Sequence, residues 1–383
     1  MQRRRGGIAI VILLAIVAVT LIASAQTATG QARRPIVLGV LAALTGGANT
    51  VGIPYAEAAK FAADEINSKG GINGRRVQLV IQDNETNPVA GVQAALKLVD
   101  ADRVDALLCS CFTVIMFPVA QALANKNVVT INNGASTPVV RTLPGHLVTT
   151  MPTDDVLGAE LARFAYTMGF RRSALLTVSD PYGSSFRQIV GNVYRELGGE
   201  IIIDLVAEGG LADYRPEMLR IVDSGAKALL MGTYTGDARL QFRQLTELGW
   251  KGIAYKLYPS VTRFHEDPET DRRIFGIEPT WLENDPKGKE WRDRFRKATG
   301  KEPGYWHAVG YDATWLAALG VGNAKDSSAS GVREAIRSAS LTYSGPTGAI
   351  KFDNTFVRVN PTIGYYKLVN KNWVRTDRRG RPL

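Results

Sequence analysis

An almost wholly apolar stretch, Pro35–Ala43 (PIVLGVLAA), runs straight into LTGGANTVGIPYAEAAKFAADEINSKGGINGRRVQLVIQDNETNP, which ends at Pro88. A strand with no polar side chain must be covered on both faces, which is the situation of a strand inside a parallel sheet. After it come a glycine-rich loop, an alanine-rich helix, a Gly-Gly stop and an alternating strand. This is a strand, helix, strand unit whose first loop lies at the strand's carboxyl end, where open α/β sheets hold small molecules.

The alternation continues. Strands are expected at Val77–Gln82, Asp105–Ser110 and Asn127–Ile131, with helices near Val89–Asp100 and Thr113–Lys126. The rhythm then restarts, with helices near Asp154–Met168, Ser184–Leu197, Tyr214–Ser224 and Ala238–Leu248 between strands at Ser173–Ser179, Glu200–Ala207, Ala226–Gly232 and Gly252–Tyr258. Repeats of this kind imply parallel sheets with right-handed crossovers. Two runs of about 120 residues suit two doubly wound lobes better than one sheet, because twisted open sheets rarely exceed about 10 strands. The boundary falls at Thr149–Asp155. Helical patterns at Asp285–Thr299 and Tyr305–Gly320, and short strands at Ala349–Phe352 and Ile363–Val369, need earlier elements to pack on. The chain is therefore expected to recross near Gly276–Thr280 and near Ser344–Thr347. The first lobe would hold 35–152 and 280–345, and the second 153–279 and 346–370, with a hinged cleft between them.

Residues 1–25 read as a secretory signal peptide: Arg3–Arg5, an uncharged run from Ile8 to Leu21, and Ala23-Ser24-Ala25 at cleavage-site spacing. An uncleaved anchor is the competing reading, since the run approaches the roughly 20 residues that span a bilayer. Without those three arginines the formal charge falls from +10 to +7. Of the remaining excess, Lys371, Arg375, Arg378, Arg379 and Arg381 crowd into 371–383, expected to be a disordered basic tail. No basic stripe interleaved with aromatics points to nucleic acid. Cys109 and Cys111 stand in CSC, where a bridge across one residue is geometrically demanding, so two thiols and a fold without cross-links are expected.

Catalytic tools are missing. Neither GxGxxG nor GxxxxGK[ST] follows a strand, and no HExxH or paired Cys-x-x-Cys could hold zinc. His146, His265 and His307 are isolated, and YGSS at Tyr182–Ser185 lacks the second glycine of a nucleophile elbow. No catalytic residue, metal or cofactor is expected.

Seven blocks in order, GVLAALTGGANTVG, AAKFAADEINSKGGINGRRVQLVIQDNETNP, LLCS, INNGASTP, SDPYG, MGTYTGD and GYDATWLAALG, resemble type I periplasmic solute-binding proteins, specifically the branched-chain amino acid (Leu/Ile/Val) binding family of ABC importers. The resemblance spans residues 36–370. It implies two doubly wound lobes joined by a three-strand hinge, and binding without turnover. It also implies that Ser110, at the end of LLCS, and Ser136, in INNGASTP, hold a ligand carboxylate, with the Gly134 carbonyl facing a ligand ammonium. Tyr182 of SDPYG and Tyr234 of MGTYTGD would close from the second lobe. One departure is chemical: the block IAYKLYPS lacks the acidic residue with which amino-acid binders pair the ammonium, and burying that ammonium unpaired costs several kcal/mol. Tyr258 would instead offer a hydroxyl or ring to a neutral or aromatic group. Another is covalent: of the two cysteines that some relatives join, Cys109 fits one position and Thr86 stands at the other.

The sequence thus predicts a periplasmic monomer that captures a small carboxylate- or amide-bearing solute and delivers it to ABC permease subunits. A sensor docking on a membrane receptor would use the same cleft. An exported hydrolase would need a histidine in reach of Ser184.

Overall fold

The computed structural model describes residues 34–383; the segment read as a signal peptide, 1–25, lies outside them. Five strands, β1 (Ile36–Ala42), β2 (Val77–Asp83), β3 (Ala106–Ser110), β4 (Val129–Asn132) and β5 (His146–Thr149), form an all-parallel sheet in the order β2-β1-β3-β4-β5. A second sheet repeats that order with β6 (Arg172–Val178), β7 (Glu200–Ala207), β8 (Ala228–Gly232), β9 (Ile253–Leu257) and β10 (Ile274–Pro279), running β7-β6-β8-β9-β10. A two-stranded hairpin, β11 (Ser344–Gly345) and β12 (Gly348–Ala349), lies apart from both sheets. Antiparallel strands β13 (Ile363–Val369) and β14 (Asn372–Thr376) then extend the second sheet beyond β10. This is the α/β fold of two doubly wound lobes.

Alternation along β1 explains the apolar nonapeptide. Ile36, Leu38, Val40 and Ala42 face one core, with Tyr55, Ile66 and Trp306, while Leu41 faces another with Leu107, Val119 and Leu123. Each fully buried Leu, Ile or Val contributes roughly 1.5–3 kcal/mol. The second sheet is likewise sandwiched, Leu176, Leu229 and Phe242 on one side and Leu175, Phe186 and Tyr255 on the other. In both lobes the first helix sits tight on its strand's end because a glycine lets it: a Cβ on Gly52 would lie 2.1 Å from the Ala43 carbonyl oxygen, and one on Gly183 1.8 Å from that of Val178.

The chain passes between the sheets after Thr149, after Pro279, and once more between Val357 and Ile363. The last passage corrects the expectation of one near Ser344–Thr347. Val357 bridges Thr149, and Ile350 and Phe356 are buried in the first lobe's core, so 346–357 stays with that lobe rather than joining the second. Helix Ala329–Ser340 and strands β5 and β10 are further elements beyond the expected set.

Two other expectations are overturned. Residues 371–383 are not a disordered tail: β14 forms a hairpin with β13 through Asn370 and Lys371, both with positive φ, as a two-residue primed turn requires. Several of the charges are paired as well, Arg378 with Glu160 at 2.7 Å and Arg381 with Asp377 at 2.6 Å. Cys109 and Cys111 form a disulfide, so the fold is cross-linked after all. The bend at the end of β3 holds their Cα atoms 5.2 Å apart, inside the usual range for a bridge.

Candidate functional site

The carboxyl ends of both sheets converge on a partly open cavity lined from both lobes. The first lobe lines it with Val51, Phe112, Thr113, Gly134, Ser136 and Trp306, the second with Tyr182, Thr233, Tyr234, Thr235, Lys256, Leu257, Tyr258 and Val261. Direct bonds hold the lobes together over it: Thr50 Oγ1 donates to the Val261 carbonyl at 3.2 Å and Thr235 Oγ1 to that of Gly47 at 3.0 Å.

Rings make the walls. Phe112 and Tyr234 stack across the cleft with centroids 5.0 Å apart and planes 8° from parallel, and Tyr182 lies 5.3 Å beyond Tyr234. Each member of the cross-cleft pair immediately precedes a helix, Thr113–Ala122 or Thr235–Glu247, that begins without a side-chain cap. Tyr234 is fixed by a 2.6 Å hydrogen bond from its hydroxyl to Asp180, which also caps the helix carrying Tyr182. Opposite, Tyr258 packs on Trp306 at 5.7 Å. Tyr258 has φ +53°, a left-handed conformation that costs a non-glycine residue about 1–3 kcal/mol, and its hydroxyl is buried without a partner.

The cavity's charge comes from Lys256, only 3% exposed. Its Nζ donates to the Thr233 carbonyl at 2.6 Å, and burial lowers its pKa to about 8 against the pull of Asp237 and Asp154. Asp154 is fully buried behind Ser136. Burial raises its carboxyl to about 7, although Ser136 Oγ donates to it at 3.1 Å; its other oxygen has no partner. Glu278, also raised to about 7 by burial, accepts from Ser260 Oγ at 2.7 Å. Neither carboxyl lines the cavity.

Of the residues singled out in the sequence, Gly134, Ser136, Tyr182, Tyr234 and Tyr258 line this space together, whereas Ser110 does not. The Ser110 hydroxyl is buried and unpartnered at the end of β3, between the bridged cysteines. The Gly134 amide is already engaged by the Asn132 side chain at 3.2 Å. Lys256, Phe112 and Trp306 were missed. A lysine inside the apolar IAYKL strand was the available signal for the first, since lysines are almost never fully buried unless paired.

Residues 35–370 match the periplasmic binding protein family. The chain belongs to that family. An amino acid binding protein of Pseudomonas aeruginosa is 25% identical over 74% of this chain and 77% of its own length. Among solved structures, a leucine binding protein from Thermotoga maritima superposes with TM-score 0.81 at 20% identity, covering 89% of this chain and 98% of its own. A solute binding protein of an ABC transporter from Rhodopseudomonas palustris, in complex with 3,4-dihydroxybenzoic acid, does so with TM-score 0.74 at 19% identity over 88% and 95%. The family match bears out the resemblance and makes the chain a substrate-binding protein rather than an enzyme, and the solved structures bear out the fold read from sequence. Among the described residues no hydrogen bond joins Ser184 to a histidine; its amide bonds the Asp180 carbonyl.

Proposed function

We propose that this chain is the periplasmic capture component of an ABC importer: it closes two lobes over one small carboxylate- or amide-bearing solute and presents the closed form to permease subunits. The observation that carries this reading is the cavity between the sheet ends, lined from both lobes by Gly134, Ser136, Phe112, Tyr182, Tyr234, Lys256 and Tyr258. The solute supplies differential affinity for the closed form, since it touches both halves only there. Support comes from relatives whose own names describe amino acid binding or a complex with an aromatic acid. Export through residues 1–25 and action as a monomer complete the proposal.

The test is a thermal-shift and calorimetric screen of the purified protein against amino acids, aliphatic and aromatic acids, and amides. A ligand at a hundred times its Kd stabilises the native state by about 2.7 kcal/mol, easily seen as a raised Tm. Silence across the whole screen would count against a solute-binding role.

A further inference from the structure

The cavity's polar and aromatic groups point to one solute class. We propose that the cleft selects a planar aromatic monocarboxylate without an α-ammonium group, its carboxylate held by Lys256 Nζ and the Tyr258 hydroxyl and its ring enclosed by Tyr182, Tyr234 and Trp306. This rests on the solute-binding reading above and names the ligand chemistry.

Lys256 lines the cavity and is almost wholly buried, and among the described residues no carboxylate oxygen lies within 4.0 Å of its Nζ. An ammonium has three donors, and the Thr233 carbonyl takes one. A buried cation with no carboxylate in direct contact is costly, Asp237 and Asp154 acting on it only from a distance, so the site is built for an anion to complete it. Tyr258 adds a buried hydroxyl with no protein partner, on a residue held in a strained conformation beside Lys256. The uncapped starts of helices Thr113–Ala122 and Thr235–Glu247, both lining the cavity, add positive potential.

No carboxylate in the lining would neutralise an ammonium, since no Asp or Glu is among its residues. Asp154 and Glu278 lie behind it, bonded to Ser136 and Ser260 and biased by burial toward their neutral forms. An amino acid would bring its ammonium into a space that already contains Lys256. An adjoining wider hollow carries Glu85, Asp180, Glu208 and Asp237, and shares Phe112, Tyr234 and Thr235 with the cavity. A flat, aromatic ligand suits the walls: five aromatic side chains line the cavity.

Calorimetry on the full protein with benzoate, 4-hydroxybenzoate and phenylacetate, each beside its own amide, and with L-leucine and L-phenylalanine, decides the matter. The best acid should bind roughly ten- to a hundredfold tighter than its amide and than either amino acid. Lys256→Met should weaken that acid by a similar factor and leave the amide unchanged. Tyr258→Phe, which keeps the ring and the charge, should weaken the acid several-fold and serves if the lysine variant fails to fold. An amide equal to its acid, or leucine or phenylalanine tighter than every acid, overturns the proposal while leaving the solute-binding role intact. No response to any of these acids overturns the proposal, and silence across the wider screen as well overturns the solute-binding role.

Discussion

The two lobes share one strand order and one way of seating their first helix, yet equivalent positions at the cleft carry different chemistry. After β1 the first lobe offers Val51, while after β6 the second offers Tyr182; after β4 it offers Gly134 and Ser136, while on and after β9 the second offers Lys256 and Tyr258. Only after β3 and β8 do the halves agree, with Phe112 and Tyr234 stacked on one another. The scaffold is therefore duplicated and the recognition is not. The first lobe provides small residues beside Phe112 and Trp306, and the second provides the charge and three of the five aromatic side chains.

Scaffold equivalence can be broken most forcefully at the two glycines. Gly52→Ala and Gly183→Ala each force a Cβ into a carbonyl oxygen, 2.1 and 1.8 Å away, and each is expected to cost about 3 kcal/mol in urea melts. If one substitution were tolerated without loss, the lobes would not share this seat. Chemical inequality is tested next by affinity. Tyr234→Ala removes one half of the cross-cleft stack and the bond to Asp180, and should weaken the ligand found by screening by about 2 kcal/mol, roughly thirtyfold. Val51→Ala in the first lobe should cost distinctly less. Equal losses would mean that recognition is shared evenly.

Legibility in the sequence divides along the same line. The scaffold was legible because buried strands announce themselves by composition, as PIVLGVLAA does, and helices between them by length. Elements without that signal were not: β5 is the four-residue HLVT, and β14 lies within a segment whose charge suggested disorder until Glu160 and Asp377 supplied partners. The disulfide depends on a bend at the end of β3 that no spacing rule reveals. In the site, the block IAYKLYPS lacks an acid but holds a base, Lys256. Reading Lys256 against its buried neighbours Tyr255 and Leu257 would have exposed it.

The buried charges at the junction sharpen the contrast through pH. Asp154 has a folded pKa of about 7, above the 3.8 of an ordinary Asp, so the native state keeps a proton that the unfolded chain has lost between those values. Its contribution to stability is therefore full below about pH 4 and falls as pH rises toward 7, by up to about 1.4 kcal/mol per pH unit. Glu278 acts in the same window and direction, from 4.5 to about 7. Lys256 acts oppositely at higher pH: with its folded pKa lowered to about 8, stability recovers between about 8 and 10.5 as the native state sheds a proton that the unfolded chain still holds. Denaturant melts from pH 4 to 10 should show a minimum near pH 7–8. Asp154→Asn should flatten the acid limb; an unchanged limb would remove Asp154 from the account.

The smallest expected effect separates lining from support within the first lobe. If Ser110 held a ligand carboxylate, as the resemblance implies, Ser110→Ala would cost about 1–3 kcal/mol of binding. Its hydroxyl instead lies outside the cavity lining, buried and without a partner. Removing an unsatisfied buried hydroxyl relieves a desolvation cost, so Ser110→Ala should change affinity by less than about twofold and leave stability equal or slightly higher. A loss of about tenfold or more would bring Ser110 into the site and place part of the polar recognition back on the first lobe.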